Sequence, residues 1–521
     1  MPENPWKIKY LRDIRHLTFI YVVYTIYTMS FIRKIKRGNA VYLAEVKNIR
    51  VDGKVVQKHL RYVGKEVDNR PFLTGPVERS KVDKVTVFGP LLVLDAIAKE
   101  LDLAGLLGEY GDYLLSLAFA HCVSPDSLAG IADWYRETEM ADLLDIPDIS
   151  YKKLLEALDS VEESDLLQSR IFDRVKTRLA LEPKAYFYDI TNVYFYGWSC
   201  PLARKGHNPD GRRGPQIQIG LAVTQKEGLP ITHKVYEGNI FDSKTLPDIL
   251  ESLPRGEEVC LVWDRGISSK LNIQQARQAG FQVLCGLALH KGLKKEADKI
   301  LTVKTVSLKN RVRLKSATFY VRKLKYRAEG IRGVIVVCLN ERERLATRER
   351  RYDEIDRALA LLEKKKPIKE GLRKYLDKNR IDQAAVRRGE RYDGISVIFS
   401  SRDLPEEEIV RGYFEKDLVE KSFRCLKGVL EMDKVRFWLA SRVKGHIFVC
   451  YLAYLLLSVL SYKLKGSSPG AEALEMLKTM YRVYLHDPKS GNKFIKTVTL
   501  SKAQEEILKA VDPKLLSRCS V

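Results

Sequence analysis

Two aspartates stand in segments that otherwise read as buried β-strands. The stretch "AYFYDITNVYFYG", residues 185–197, is rich in Tyr, Phe, Ile and Val and carries Asp189 near its middle. The stretch "VCLVWDRG", residues 259–266, ends its apolar run on Asp264. An ionised carboxylate buried in a strand costs several kcal/mol unless a cation or hydrogen-bond donors meet it. The two carboxylates therefore predict a site to which a positive charge is brought.

The order of elements places these two acids side by side. If the strand of Asp189 lies next to the strand of Asp264, the two carboxylates repel each other, and burial makes the repulsion worse. A divalent cation reverses this balance, because hard cations such as Mg²⁺ and Mn²⁺ take oxygen ligands. We expect the cation to arrive with the phosphates of a substrate. Taken singly, either aspartate is more often a turn or cap residue.

A third acid lies in a predicted helix over residues 405–430. Five polar residues step along it by 3, 4, 4 and 3 positions and so form one stripe: Tyr413, Lys416, Glu420, Arg424 and Lys427. Two metal ions about 4 Å apart, held by three acids, activate water or a 3′-hydroxyl and stabilise the leaving oxygen of a phosphodiester. The basic members of the stripe suit phosphate contacts. The alternative is a solvated helix face with i,i+4 ion pairs.

The stripe resembles the signature of a known family, the DDE transposases of bacterial and archaeal insertion sequences, in the branch of insertion sequence four. That signature is Tyr, two residues, Arg, three residues, Glu, six residues, Lys, and here it reads Tyr413, Lys416, Glu420, Lys427. Lys416 stands where the family usually has Arg, which keeps the charge and gives up the bidentate fork. "YDIT" with Asp189 resembles the first acidic motif of the family, and "WDRGISS" with Asp264 resembles the second.

The resemblance covers about residues 30–515 and implies both a site and its partners. It implies Asp189, Asp264 and Glu420 as catalytic residues and metal ligands, with two Mg²⁺ or Mn²⁺ ions as cofactors. Double-stranded DNA is the implied substrate, as transposon ends with terminal inverted repeats and as target, bound by a homodimer. We expect five residues to contact this DNA: Tyr413, Lys416, Arg424, Lys427 and Arg265. The expected location is the cytoplasm, at the nucleoid.

Composition is consistent with such a partner. The chain of 521 residues has 90 Lys and Arg against 67 Asp and Glu, a formal charge of +23, which suits a polyanion. The eight cysteines are scattered without a C-x-x-C pair, and histidines are equally sparse. We therefore predict a reducing intracellular setting and no structural zinc. His446, just before an apolar helix, is interpreted as a capping or packing residue rather than a ligand.

The predicted fold class is α/β: a mixed-sheet catalytic core, which the resemblance implies to be RNase H-like, with a β-rich insertion, preceded by a β-hairpin and a helical domain. From residue 181 the elements run three strands, helix, strand, helix, strand, which indicates a mixed sheet with helices on its faces. The predicted regions are an upstream extension before a start at Met29 (1–28), a basic β-hairpin region (29–84), a helical, DNA-binding domain (85–180), the first part of the core (181–290), the insertion (291–391), the second part of the core with the catalytic helix (392–465) and a C-terminal tail (466–521).

Two apolar runs and two polar loops complete the predictions. Residues 17–32 and 447–460 are shorter than the roughly 20 residues of a membrane span, so we predict no membrane association and a buried core helix for the second run. The loop 206–214 suits DNA contact or simple turn chemistry equally well. In the segment 238–246, Asn239 and Thr245 either lie near the first acid or cap the next helix, and capping is the preferred interpretation.

Three hypotheses follow for function. The first is a transposase that nicks at a transposon end and joins the freed 3′-hydroxyl to target DNA. The second is an RNase H-like nuclease that hydrolyses without joining, and the third is a non-catalytic DNA-binding relic. The stripe and the insertion favour transposition, and the intact acids argue against the relic.

Overall fold

The computed structural model describes residues 30–519 with short internal gaps. The gaps are residues 38–39, 52–53, 68–69, 73–79, 145, 147–148, 162–164, 196–198, 207–213, 256–257, 301–304, 315–316, 329, 369, 378–379 and 489–490. The predicted upstream extension therefore lies outside the described residues, as do the Asp52-Gly53 turn and most of the loop 206–214.

Strands and helices are numbered in chain order. The strands are β1 Ser30–Arg37, β2 Ala40–Val51, β3 Lys54–Val67, β4 Arg70–Phe72, β5 Lys81–Val87, β6 Ala185–Tyr194, β7 Gln216–Thr224, β8 Pro230–Glu237, β9 Cys260–Trp263, β10 Gln282–Leu287, β11 Arg311–Arg313, β12 Thr318–Ala328, β13 Ile331–Leu339, β14 Leu376–Asp377, β15 Arg380–Ile381, β16 Ile395–Ser400, β17 Tyr481–His486 and β18 Lys493–Thr497. The α-helices are α1 Gly89–Glu100, α2 Leu103–Leu107, α3 Gly111–Val123, α4 Leu128–Glu137, α5 Met140–Leu143, α6 Tyr151–Asp159, α7 Asp165–Leu179, α8 Leu246–Ser252, α9 Lys270–Gln278, α10 Lys291–Ile300, α11 Glu341–Glu363, α12 Glu370–Arg373, α13 Gln383–Glu390, α14 Glu406–Phe414, α15 Asp417–Arg424, α16 Ala440–Lys463, α17 Gly470–Leu477, α18 Lys502–Val511 and α19 Leu515–Cys519.

The chain divides into two compact units, and the smaller one is built from strands. Its described residues lie within 30–85 and 482–498. Its described part holds an antiparallel sheet in the order β1-β2-β3-β4 and a second sheet in the order β18-β17-β5. Strands β2 and β3 pair antiparallel up to Val51 opposite Lys54. The predicted β-hairpin is thus confirmed, and it is part of a larger meander.

The larger unit is organised around a nine-stranded sheet. Its order is β11-β12-β13-β16-β10-β9-β6-β7-β8. Strands β6, β7 and β8 form an antiparallel meander, and β9 and β10 join β6 in parallel. Five strands with the chain order 3-2-1-4-5 and this mixture of directions are the topology of an RNase H-like core. The predicted fold class and the predicted element order of the core are confirmed.

The β-rich insertion is continuous with the core sheet. Strand β16 pairs antiparallel with β10, and β13 and β12 follow on the other side of β16. The long helix α11 then leads away from β13, and its first turn is capped by Asn340, whose side chain accepts bonds from two backbone amides. The insertion therefore extends the core sheet, which its Lys/Arg-rich sequence does not reveal.

Helices pack on both faces of the sheet, and α16 is the most buried of the long ones. Two of the N-terminal helices begin at serine caps, since Ser127 and Ser150 accept bonds from backbone amides in α4 and α6. By length and composition, α16 could cross a membrane, and so could the bent segment 103–137 taken as one span. Within this structure 94% of the most apolar window of α16 is buried. The prediction of a core helix over residues 447–460 is confirmed.

Candidate active site

The parallel pairing of β6 with β9 brings the two aspartates together. Tyr188 of β6 pairs with Trp263 of β9, so the next residues along the two strands, Asp189 and Asp264, lie side by side. On the far side of β9, Trp263 pairs with Cys285 of β10. Side chains alternate between the two faces of a strand. Tyr188, Trp263 and Cys285 belong to one hydrophobic core, so both aspartates point to the opposite face.

That opposite face is covered by the helices that carry the third acid. The expected single helix over residues 405–430 is not observed: the structure breaks it into α14, α15 and a π-helix, Cys425–Val429. At the break, the amides of Leu418 and Val419 donate to carbonyls three residues earlier, at Glu415 and Lys416. This tightened turn separates the first half of the predicted stripe from the second.

The first half of the stripe turns inward onto Asp264. The Tyr413 hydroxyl donates to Asp264 Oδ1 at 2.7 Å, and Lys416 Nζ lies 2.9 Å from the same oxygen. Tyr413 is only 6% exposed and belongs to the core. The Lys416 ammonium also lies 5.1 Å from the centre of the Tyr413 ring. Both bonds are made to Oδ1, so Oδ2 of Asp264 takes no part in them.

These contacts favour the ionised form of Asp264. Partial burial opposes ionisation, but the Lys416 ammonium and the bonds from Lys416, Tyr413 and the Arg265 amide hold the pKa of Asp264 below its ordinary value. Burial and the facing carboxylate raise the pKa of the Tyr413 phenol. At neutral pH, Asp264 is therefore a carboxylate and Tyr413 a neutral donor.

Asp189 has the opposite bias. Burial raises its pKa to about 7, and the charges of Asp264 and Glu420 act in the same direction. The Ile190 amide and the Lys416 ammonium oppose this shift without cancelling it. Asp189 therefore titrates near neutrality because the effect of burial outweighs the positive charge around it. The charge of Glu420 acts on Asp189, so the third acid lies near the two aspartates.

The second half of the stripe is open to solvent. Glu420 and Arg424 are exposed on α15, whose other side buries Val419, Ser422 and Phe423. Arg265, in the turn that follows Asp264, is exposed as well. The structure therefore presents cations beside the acids, as the phosphate-contact prediction requires.

Lys427 lies in the π-helix and contacts the first acidic strand. Its Nζ donates to the carbonyl of Asn192, in β6, at 2.8 Å. A π-helix is a rare local widening of a helix and is frequent at functional sites. Here it places the last residue of the stripe against the strand of Asp189. DNA contact by all five predicted residues stays a prediction, and in this structure the polar groups of Tyr413, Lys416 and Lys427 meet protein atoms.

Sequence reasoning missed Gly286, which makes room for Tyr413. Gly286 follows Cys285 in β10 and so stands next to Asp264 in the sheet. A Cβ at this position would lie 2.4 Å from the Tyr413 hydroxyl oxygen and 3.2 Å from the backbone nitrogen of Arg265. Only glycine leaves space for the bond between Tyr413 and Asp264. The signal in the sequence was a lone glycine inside an otherwise apolar strand.

The segment 238–246 supports the turn after Asp264. An added Cβ on Gly266 would lie 3.2 Å from Asp242 Oδ2, so the two turns are adjacent. Thr245 is fully buried and precedes α8, but its hydroxyl donates to the Asp242 carbonyl and accepts from Tyr188 instead of capping the helix. The predicted position at the helix start is right and the predicted side-chain cap is absent. Asn239 is exposed.

The cluster fits a hard divalent cation. Its donors, Asp189, Asp264 and Glu420, offer carboxylate oxygens alone, the ligand type that Mg²⁺ and Mn²⁺ prefer. The positive charge of the Lys416 ammonium lowers the pKa of both aspartates, as the charge of a bound metal ion would. A further cation would lower the raised pKa of Asp189 toward its ordinary value. The residues present can therefore hold the metal.

One family model and one solved structure are similar to this chain. The family described as "Transposase DDE domain" matches residues 182–456, more than half of the chain. Among solved structures, the cryo-EM structure of the piggyBac transposase synaptic complex with hairpin DNA is similar, with a TM-score of 0.38 and 10% sequence identity over 75% of this chain and 80% of that one. Comparison with curated proteins gives no match.

Proposed function

Because the chain belongs to the transposase DDE domain family, we propose that it is the transposase of an insertion sequence. It binds the terminal inverted repeats of the element and catalyses metal-dependent DNA strand cleavage and strand transfer. The single observation that carries this proposal is the cluster of Asp189, Asp264 and Glu420, in which two acids adjoin on parallel strands and the third faces them from a helix.

The proposed cofactors are two Mg²⁺ or Mn²⁺ ions held by these three carboxylates. When bound, such ions supply activation of water or a 3′-hydroxyl and stabilisation of the leaving oxygen. The protein's own part is to hold Asp264 ionised through Tyr413 and Lys416. It also keeps Asp189 poised to lose its proton when positive charge arrives.

The exposed cations beside the acids are proposed to receive the DNA. Arg424 lies one helical turn from Glu420, and Arg265 follows Asp264 directly. Both side chains are exposed, and a guanidinium group makes bidentate contacts with phosphate oxygens. Tyr413, Lys416 and Lys427 are proposed to join them when the metal and DNA displace their present contacts. The protein is proposed to act as a homodimer on paired ends, at the nucleoid of the cytoplasm.

A strand-transfer assay tests the proposal. The full chain is incubated with the element's terminal DNA, a supercoiled target and Mg²⁺, and joined products are quantified. We expect joined products from the parent and none from Asp189→Ala or Glu420→Ala, because each variant removes one metal ligand. Glu472→Ala, an exposed acid on the distant helix α17, is the matched control and keeps activity.

Other outcomes separate the competing functions. Metal-dependent nicking without joining, abolished by the same two variants, would establish an RNase H-like nuclease. Tight binding of the ends without any cleavage by the parent would establish a DNA-binding relic. Joining that survives both acid variants would overturn the assignment of the acids.

A further inference from the structure

A second cluster of metal-ligating side chains lies in the larger unit, away from the three acids. Among the described residues, His121, His446 and Cys450 place one ligand atom each within 4.8 Å of one another, and all three are buried. His121 belongs to α3, whereas His446 and Cys450 lie four residues apart on the facing helix α16. Residues at i and i+4 share one face of a helix, so the pair points together at His121.

The histidine rings are oriented by backbone carbonyls. His121 Nδ1 lies 2.8 Å from the Leu430 carbonyl, which can only accept, so Nδ1 carries the proton and Nε2 keeps its lone pair. His446 Nε2 has a longer contact of 3.2 Å with the Met432 carbonyl and lies 3.9 Å from Cys450 Sγ. Metal-binding histidines are commonly oriented by a carbonyl acceptor in the way that His121 is.

Burial keeps both rings neutral. It lowers the pKa of His121 and lowers the pKa of His446 to about 3, with the neighbouring His121 adding to the second shift. Neutral imidazole is the form that binds a metal ion. Burial likewise raises the pKa of the Cys450 thiol, which leaves it a thiol until a metal ion displaces the proton.

An opening leads to the cluster. A cavity of about 260 Å³ is lined by both histidines and by Glu431, among other residues. The charge of Glu431 acts on His121, but its carboxylate is not among the ligand atoms that lie within 4.8 Å of one another, and it pairs with Lys434 instead. The cavity supplies the entry path that a metal site in the protein interior requires.

We propose that His121, His446 and Cys450 bind one zinc ion, with a water molecule from the cavity as the fourth ligand. Two nitrogens, one sulfur and one water oxygen are a donor set that suits tetrahedral zinc and not Mg²⁺. The Cys450 thiolate offsets one of the two zinc charges, and the Glu431 carboxylate, whose charge already acts on His121, offsets part of the other. The Cys450 proton is released to solvent when the Zn–S bond forms.

The geometry needs only a small closure. Tetrahedral zinc with its usual bond lengths separates ligand atoms by about 3.4–3.6 Å, and the present atoms lie within 4.8 Å. Side-chain movements of about 1 Å bring the three protein ligand atoms to that spacing, and the long contact of His446 Nε2 with the Met432 carbonyl gives way to the metal bond. The zinc ion then ties α3 to α16, while His121 Nδ1 keeps its contact with the Leu430 carbonyl. This role departs from the packing role expected for His446 and from the predicted absence of a structural zinc.

Metal analysis of the unmodified full chain tests the proposal first. After dialysis against a chelator that strips weakly held ions, we expect one zinc ion per chain. Replacement of zinc by Co²⁺ is expected to produce an intense near-ultraviolet thiolate-to-cobalt absorption band. Co²⁺ bound by the three catalytic carboxylates cannot produce this band, because those ligands contain no sulfur.

Variants identify the ligands. Cys450→Ser is expected to abolish the band and His121→Gln to weaken Co²⁺ binding by at least 10-fold, because each removes one ligand. Cys338→Ser, which alters a buried thiol in β13, is the matched control and keeps the band. A chain without zinc that gives no thiolate–cobalt band overturns the proposal, as does a band that survives in folded Cys450→Ser. Since the first measurement uses the unmodified chain, misfolding of a variant does not affect it.

Discussion

At the scale of single residues, the surroundings of the two aspartates shift their pKa values in opposite directions. Asp264 receives a hydroxyl and an ammonium group on one oxygen, and its pKa falls. Asp189 sits beside it with less compensation and two repelling carboxylates, and its pKa rises to about 7. One acid is therefore ionised in advance, and the other becomes fully ionised only when more positive charge is present.

The raised pKa of Asp189 predicts a pH-dependent stability without metal. Its folded-state pKa of about 7 exceeds the ordinary value of 3.8, so this group's contribution to the free energy of unfolding is complete below about pH 4 and is lost as the pH rises through 7. Asp189→Asn mimics the neutral acid. We expect the variant to melt a few degrees above the parent at pH 8 and at the same temperature as the parent at pH 4, measured by thermal unfolding.

Metal addition supplies the control for this prediction. At pH 8, Mn²⁺ is expected to raise the melting temperature of the parent, because a ligand that binds only the folded state stabilises it. The Asp189→Asn variant lacks a ligand and is expected to respond little. Equal melting temperatures of parent and variant at every pH would show that the surroundings do not raise the pKa of Asp189.

At the scale of elements, the decisive feature is the break between α14 and α15. It lets Tyr413 and Lys416 reach down to the sheet while Glu420 and Arg424 remain at the surface. An unbroken helix would keep all five stripe residues on one face and leave Asp264 without these donors. Gly286 in β10 is the complementary feature, since its missing side chain is the space that the Tyr413 hydroxyl occupies.

Gly286→Ala is predicted to displace the Tyr413 hydroxyl and so to lower both the stability and the strand-transfer rate. The new methyl group would lie 2.4 Å from the hydroxyl, and overpacking of this kind costs about 1–3 kcal/mol. Displacing the hydroxyl removes a hydrogen bond to a charged group, worth roughly 1.5–3 kcal/mol, so we expect a fall in strand-transfer rate of about 10-fold or more. Urea unfolding and the strand-transfer rate measure the two effects.

A double variant tests whether Gly286→Ala acts through the Tyr413 hydroxyl. Tyr413→Phe removes the atom that clashes, so Gly286→Ala should cost less stability and little further activity in that background. Gly371→Ala, whose Cβ would meet open space, is the control and should leave both quantities unchanged. Additive losses in the double variant would mean that Gly286 acts independently of Tyr413.

At the scale of the whole molecule, charge dominates the expected interaction with DNA. The formal charge of +23 already counts every Asp and Glu, the three acids of the site included, and exposed arginines flank those acids. Electrostatic attraction of this kind releases counterions from DNA when the complex forms. Affinity should therefore depend on salt more strongly than on the identity of the bases.

Salt titration tests this view. We expect affinity for duplex DNA, measured by fluorescence anisotropy, to fall by about 10³-fold or more between 50 and 200 mM salt. Arg265→Ala and Arg424→Ala should each reduce the slope of log affinity against log salt by about 1, because each removes a phosphate contact. A slope that neither variant changes would place the DNA elsewhere on the protein.

The amino-acid sequence by itself determined the elements and the acids. Local periodicity marks the strands that deliver Asp189 and Asp264, and the alternation of strands and helices requires the parallel pairing that makes them neighbours. The five-residue stripe follows from spacing alone. These features are readable because each depends on residues close together in the chain.

Only the tertiary structure decided how those elements meet. The break after Phe414, the space at Gly286 and the joining of β12 and β13 to the core sheet arise from packing between distant segments. The convergence of His121 with His446 and Cys450 is of the same kind, because its partners lie on helices far apart in sequence. Side-chain packing in a dense interior depends on every neighbour at once, and no local pattern encodes it.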